Sequence, residues 1–199
     1  MYKDKKVLVA GFGTIAIPLV KILIKKEAEV RVVSIEKEDD IRKKYNGNFE
    51  YKQLDLTDKN NCSEAVKDQN YVFNLVGIKG SVGIGQRKVA SFLIPMLRFQ
   101  TNLMEASYEE GISRFLFVGS VCSYPQDKIH FEENMWNGMP KQNDRIPGIA
   151  KRVGELLGEA FELEYGWDAV RIVRPANVYG PFDDFNPATA QVIPALISR

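Results

Sequence analysis

Three short segments of this chain carry side chains that could do chemistry. Residues 119–125 hold the hydroxyl of Ser120 and the thiol of Cys122, a later segment holds the amine of Lys151, and residues 174–181 read R-P-A-N-V-Y-G-P. Hydroxyl, thiol and amine groups give or take protons, and a thiol with a lowered pKa can act as a base of moderate strength. These residue types indicate proton transfer at a bound small molecule.

The elements around these segments predict an α/β fold. Short β-branched runs alternate with longer helical patterns, which is typical of β-α-β units in one doubly wound, Rossmann-type parallel sheet with helices on both faces. The three segments then follow the carboxyl ends of the fifth and sixth strands or the crossover between them, the edge where such sheets bind ligands. The predicted strands, all expected to be buried, are 6–10, 29–35, 49–54, 71–76, 114–119 and 169–173, and the predicted helices are 15–27, 61–68, 88–110 and 148–165.

The segment G-F-G-T-I-A joins the first predicted strand to the first predicted helix. In a G-x-G-x-x-A turn, Gly11 permits the tight turn, Gly13 lets a pyrophosphate approach the backbone, and the small Ala16 lets helix and strand pack closely. Phosphate oxygens would bind the N–H groups at the helix N-terminus, with Thr14 and Ile15 as further contacts. The turn therefore predicts a dinucleotide site, and a plain tight turn is the alternative.

The end of the second predicted strand bears on the type of cofactor. The carboxylate of Glu36 can accept a hydrogen bond from the ribose 2′-hydroxyl of NAD and repels the 2′-phosphate of NADP. Ser34, Lys37 and Arg42 together could instead accommodate that phosphate. We therefore expect NAD or NADP, with NAD slightly favoured.

Two further strand ends are predicted to border the cofactor. Asp55 and Leu56 are placed to meet the adenine ring, and the alternative for Asp55 is a solvated cap on its strand end. Val76 and Gly77 follow the fourth strand and are assigned to the cofactor as well. Residues 79–81 are candidates for a substrate contact or a simple turn.

Composition narrows the classes of partner. The 27 basic and 26 acidic side chains give a net charge of +1, which offers no global attraction to nucleic acid or an anionic membrane. The two cysteines, Cys62 and Cys122, lack metal-ligand spacing, so no metal site is predicted. Without a signal-type segment or a long apolar run, we expect a cytoplasmic protein with small-molecule or protein partners.

On these motifs the chain resembles the extended short-chain dehydrogenase/reductase family of sugar-nucleotide epimerases, dehydratases and reductases. The R-P-A-N-V-Y-G-P run is strongly typical of that family. One branch of the family epimerises and reduces a GDP-4-keto-6-deoxy sugar, and this chain has three motifs typical of that branch: S-x-C-x-Y-P, N-P and V-I-P-A-L. The resemblance covers essentially the whole chain. It implies an NAD(P)-dependent enzyme with a nucleotide-sugar substrate, and suggests a homodimer formed through residues 88–110 and 148–165.

The resemblance also implies roles for individual residues. Ser120 would hydrogen-bond the sugar oxygen that is oxidised or reduced, Cys122 would be an acid or base in epimerisation, and Lys151 would bind the nicotinamide ribose. The residues assigned to the nicotinamide end are Pro175, Ala176, Asn177 and Val178. The residues assigned to the substrate are Ser120, Asn177, Gln191 and Arg199.

Two departures from the family pattern put the chemistry in question. Pro147 stands four residues before Lys151, where the family has a tyrosine, and Gln191 stands where that branch has a histidine acid. Proline has no proton to donate. It does suit the first turn of a helix, for which Asp144 is a candidate N-cap.

Tyr124 and Lys128 match Y-x-x-x-K by letter only, because Pro125 makes a helical pairing of the two side chains improbable. Pro95 likewise predicts that the third helix starts near it or bends there. His130, the only histidine, lies in a long irregular stretch over residues 122–147 without an evident partner.

These patterns leave two hypotheses for the function. The first is a nucleotide-sugar epimerase/reductase or dehydratase whose proton comes from Cys122, a carboxylate such as Asp183, or water. The second is a dinucleotide-binding protein without turnover, either a sensor or a partner of an active relative. In both, residues 1–199 form the NAD(P)-binding domain, and most of the family's C-terminal substrate region is absent.

Overall fold

The centre of the molecule is a sheet of six parallel strands in the order β3-β2-β1-β4-β5-β6. The computed structural model describes residues 2–78, 89–127, 129–186 and 189–199. From β1 the chain winds outward to β3 and then returns to the other side of β1 with β4, which opens a crevice at the carboxyl ends of β1 and β4. The predicted doubly wound sheet is confirmed. The strands are β1 (Lys6–Ala10), β2 (Glu29–Ser34), β3 (Glu50–Gln53), β4 (Tyr71–Asn74), β5 (Arg114–Val118) and β6 (Val170–Val173).

Helices cover both faces of the sheet because successive strand residues point to opposite sides. Val7 and Val9 of β1 pack into one apolar cluster with the first two helices, whereas Leu8 and Ala10 pack into a second cluster with the next three. None of the helices in the described ranges is long and apolar enough to cross a membrane. The helices are α1 (Ala16–Lys25), α2 (Glu38–Lys44), α3 (Lys59–Val66), α4 (Val89–Glu109), α5 (Arg145–Tyr165) and α6 (Val192–Ile197).

The edges of the sheet correct one prediction from the sequence. The expectation that all six strands are buried is wrong for β3 and β6, because each has a hydrogen-bonded neighbour on one side only. In β6, Ile172 and Val173 are 40% and 45% exposed. The short helices α2 and α6 were not predicted. Pro95 lies inside α4, whose described part already begins at Val89.

A buried arginine holds the long segment before α5. Arg152, which is 6% exposed, donates from Nε to the carbonyl of Ser123 and from Nη1 to that of Gly138, each at 2.8 Å, and from Nη2 to Met135. The three hydrogen bonds tie separate points of this segment to α5 and give its buried carbonyls a donor. Its three 3₁₀-helical turns are Val121–Ser123, Glu132–Trp136 and Gln142–Asp144.

Candidate functional site

The glycine-rich turn has the backbone geometry that its sequence predicts. Gly11 has φ +92°, and a Cβ there would lie 2.9 Å from the carbonyl oxygen of Leu75, so both conformation and space favour glycine. Its N–H donates to Val33 at 2.8 Å, which ties the turn to the end of β2. A Cβ at Gly13 would meet nothing within 4 Å, so the backbone there is open to a ligand.

The N-terminus of α1 is suited to an anion. Its N-cap residue, Ile15, has an apolar side chain that makes no capping hydrogen bond, and its first turn contains no acidic residue. Ala16 is 1% exposed and lets the helix pack against the sheet, while the hydroxyl of Thr14 donates to Phe182 at 3.3 Å. A helix start with these properties attracts phosphate through its N–H groups and dipole. Because Gly13 leaves room directly before it, a pyrophosphate fits this turn.

The segment after β2 is fixed by several contacts. The N–H of Glu36 donates to Ser34 Oγ at 3.2 Å, and the Tyr51 hydroxyl donates to the carbonyls of Glu36 and, at 3.2 Å, Ser34. Burial raises the pKa of Tyr51, which keeps this hydroxyl a donor. The Glu36 carboxylate lies 2.6 Å from the ammonium of Lys44. Sequence reasoning missed Lys44, because the pairing depends on how α2 folds back.

Arg42, one of the predicted phosphate partners, is already engaged elsewhere. Its guanidinium donates to the carboxylate of Glu38 at 3.0 Å and to the carbonyls of Gly47 and Phe49 at 3.0 and 3.1 Å. It also lies over the Phe49 ring, 4.2 Å from the ring centroid. Arg42 is therefore held by the segment that enters β3, whereas Lys44 is held at Glu36.

The segments that follow β3 and β4 contain further residues assigned to the cofactor. Asp55 Oδ1 accepts from the N–H and hydroxyl of Thr57 at 2.9 and 2.8 Å, so this carboxylate is engaged in the turn after β3. Leu56 is 4% exposed. Val76 and Gly77 lie opposite the glycine turn, and a Cβ at Gly77 would meet nothing within 4 Å. Their cofactor roles, and that of Asp55, stay predictions.

Ser120 and Cys122 form a tight turn against the start of α5. The Ser120 hydroxyl accepts from the N–H of Cys122 at 3.1 Å. A Cβ at Gly148 would lie 2.2 Å from the Cys122 carbonyl oxygen, so only glycine lets helix and turn touch here. The N–H of Val121 donates to Pro175 at 3.2 Å. The structure therefore brings the ends of β5 and β6 together with α5.

Lys151 lies beneath this turn. Its ammonium donates to the carbonyl of Val118 at 2.8 Å and lies 5.2 Å from the centroid of the Phe117 ring. Burial lowers the pKa of Lys151 to about 8, and the negative charge of Glu155 opposes the shift. Ser120 follows Val118 by two residues, so the predicted serine and lysine do lie at one strand end.

The protonation of Cys122 differs from what a catalytic base requires. Burial raises the pKa of this thiol, the carboxylate of Asp144 raises it further, and the hydrogen bond from Ser120 lowers it only in part. The thiol is therefore protonated at neutral pH and suits a proton donor better than a base.

Arg174 and Glu155 form an ion pair below the site. Nε lies 3.0 Å from one carboxylate oxygen and Nη2 lies 2.7 Å from the other, and Glu155 is only 4% exposed. Arg174 also donates to the Tyr124 hydroxyl at 3.2 Å. The arginine of R-P-A-N-V-Y-G-P thus joins β6 to α5 and also binds Tyr124. Lys128, residues 79–81 and Pro187 lie outside the described residues.

Pro147 occupies the first turn of α5, four residues before Lys151. Asp144 is the N-cap residue, as predicted, but its side chain makes no capping hydrogen bond. The remaining predicted site residues, whose roles stay predictions, have exposed side chains: Ala176, Asn177, Val178, Gln191 and Arg199.

The fold and the glycine turn together define a Rossmann-type α/β domain. The chain belongs to the NAD dependent epimerase/dehydratase family, whose family model matches residues 7–199. This confirms the resemblance inferred from the sequence.

Individual relatives agree with the family assignment. GDP-L-fucose synthase 1 from Arabidopsis thaliana is 30% identical over 151 residues, which are 74% of this chain and 46% of that protein. The Escherichia coli K12 GDP-L-fucose synthase is 34% identical over 112 residues, 55% of this chain and 35% of its own length. The chain spans about half the length of the curated relatives it matches.

Solved structures share the fold. The Thermotoga maritima UDP-glucose 4-epimerase superposes with a TM-score of 0.80 at 27% identity, over 96% of this chain and 61% of that one. The Campylobacter jejuni GDP-mannoheptose C4 reductase MlghC, solved with NADP bound, superposes with a TM-score of 0.81 at 23% identity. The match covers 99% of this chain and 55% of that one.

Proposed function

We propose that this protein binds NAD or NADP and takes part in epimerisation or reduction of a nucleotide sugar. Family membership, the open Gly13 backbone and the uncapped α1 N-terminus support dinucleotide binding, and the carboxylate of Glu36 favours NAD slightly. The observation that carries the proposal is the desolvated ammonium of Lys151, bound to the Val118 carbonyl at the carboxyl end of β5, two residues before Ser120. A lysine whose pKa is lowered by burial, at the end of the sheet where such folds bind ligands, is typical of a functional site.

The residues of the chain then have distinct tasks. A bound nicotinamide supplies or accepts the hydride. The Ser120 hydroxyl orients the sugar oxygen, and Lys151 holds the ribose. Because Pro147 cannot donate a proton, we assign this role to the protonated thiol of Cys122, with Asp183 or water as alternatives. Loss of one acid or base lowers a rate by about 100- to 10,000-fold, so we expect slow turnover.

Titration with NADH and NADPH, followed by assays with GDP-, UDP- and dTDP-keto sugars, tests the proposal. We expect Lys151→Met to weaken cofactor binding by about tenfold or more. Lys25→Met should leave the binding unchanged, because Lys25 is an exposed lysine at the end of α1. Binding of neither cofactor below millimolar concentration would refute the proposal.

A second candidate is a dinucleotide-binding protein without turnover, which Pro147 favours because it has no proton to donate. Pro147→Tyr distinguishes the two. Because Pro147 lies in the first helical turn, a tyrosine there adds an N–H at a position where none is needed, and α5 should remain intact. Turnover by the wild-type protein would exclude the second candidate, whereas turnover by Pro147→Tyr alone would support it.

The suggested homodimer is part of the proposal. Val153 and Leu156 of α5 are 39% and 47% exposed, which supports contact between copies through α4 and α5. Sedimentation of the wild-type protein and of Leu156→Glu tests this. A monomeric wild type would contradict it.

A further inference from the structure

Lys44 and Glu36 form an ion pair at the end of β2. Lys44 is the last residue of α2, and its ammonium lies 2.6 Å from the Glu36 carboxylate, with the side chains 33% and 41% exposed. Of the basic residues in the last turn of α2, Arg42 is bound to Glu38 and Lys43 is bound to Asp40 at 2.8 Å. Lys44 is therefore the basic residue of this turn that meets Glu36.

The pair lies where an adenosine ribose would be recognised. The glycine turn is joined to the end of β2 by the hydrogen bond from Gly11 to Val33, and Glu36 follows three residues later. Its backbone is fixed through Ser34 and Tyr51, so the carboxylate leaves a defined point of the chain. In this position a carboxylate accepts from a 2′-hydroxyl and repels a 2′-phosphate.

A neighbouring ammonium changes this electrostatic selection. An isolated carboxylate presents one negative charge to the phosphate, whereas the Glu36–Lys44 pair has no net charge. The four-carbon stem of lysine is flexible, so its ammonium can stay near the carboxylate or move to a phosphate oxygen.

We propose that Lys44 determines how this protein discriminates between the two cofactors, by offsetting the repulsion of a 2′-phosphate by Glu36. The inference rests on the proposed dinucleotide binding. With Lys44 present the site accepts NADP as well as NAD, and without it the site selects NAD.

The test is the ratio of NADPH to NADH affinity in three variants and a control. Lys44→Met should lower NADPH affinity by about tenfold and leave NADH affinity within about twofold, since about 1.4 kcal/mol of charge interaction corresponds to tenfold. Lys44→Arg should retain NADPH binding. Glu36→Gln should raise NADPH affinity, because the ammonium is then unopposed. Lys43→Met, which removes a neighbouring lysine bound to Asp40, is the matched control.

The possible results separate the inference from the proposed function. If both cofactors bind and Lys44→Met changes the ratio no more than Lys43→Met does, the inference is wrong and dinucleotide binding stands. If the wild-type protein binds neither cofactor, the proposed function fails and this inference fails with it. Salt gives a further check. Because dissolved ions screen charge interactions, added salt should reduce the difference in NADPH affinity between the wild type and Lys44→Met.

Discussion

Replacing Lys151 by methionine should make the folded protein more stable at neutral pH. The ordinary pKa of a lysine is 10.5, and burial lowers the pKa of Lys151 to about 8 in the folded protein. Keeping the charged ammonium in the folded state therefore costs about 3 kcal/mol below pH 8. Methionine removes this cost but also removes the hydrogen bond to Val118, which stabilises by about 1–2 kcal/mol. The expected net gain at pH 7 is about 1–2 kcal/mol.

The stability gained by replacing Lys151 depends on pH. Between about pH 8 and pH 10.5 the unfolded chain holds a proton that folded Lys151 has released, so wild-type stability rises with pH by about 1.4 kcal/mol per unit. The Met variant lacks this group. Its advantage over the wild type should therefore fall by about 2 kcal/mol between pH 7.5 and pH 9.5.

Urea denaturation, followed by the fluorescence of the two tryptophans, measures this difference at each pH. Lys25→Met provides the control, because that lysine is exposed at the end of α1 and its removal should leave the pH dependence unchanged. A constant difference between wild type and Lys151→Met across the pH range would show that the ammonium is not desolvated, and would refute the reasoning.

Three further predictions follow from the geometry of the site. Gly11→Ala should lower the free energy of unfolding by about 2 kcal/mol or more, because φ is positive and a Cβ would meet the Leu75 carbonyl. Gly13→Ala should instead weaken cofactor binding with little loss of stability. Thermal denaturation of both variants measures the stability, and titration with NADH measures the binding. Glu155→Ala should destabilise the protein by about 3–5 kcal/mol in urea denaturation, since it leaves the Arg174 charge without its carboxylate. Arg152→Met should make residues 122–147 sensitive to limited proteolysis, and uncleaved loops in the folded variant would contradict the role assigned to that arginine.

The parts of the fold that sequence predicts well are those set by local patterns. The β-branched strand runs and the glycine turn with Ala16 have causes within a few residues, and the structure agrees with both. By contrast, α2 has a single buried residue, Ile41, and so gives no helical stripe to read. Pro95 lies inside α4 because the burial of neighbours such as Met96 and Phe99 outweighs the cost of a proline.

The contacts that define the site depend on tertiary structure and could not be predicted in the same way. Arg152 stands next to Lys151 in sequence and reads as one more surface charge, yet it is buried against three loop carbonyls. The pairing of Glu155 with Arg174 joins residues from different elements. The pKa of Cys122 likewise depends on burial by segments distant in the chain.

The contacts of α5 imply that the site opens and closes as one cooperative unit. Lys151, Arg152 and Glu155 bind, respectively, the end of β5, the loop before the helix and, through Arg174, the end of β6. Local unfolding of any one of these segments would break contacts made by the same two turns of helix. Amide hydrogens in all of them should therefore exchange with solvent at similar free energies, and a ligand that binds one segment should slow exchange in the others.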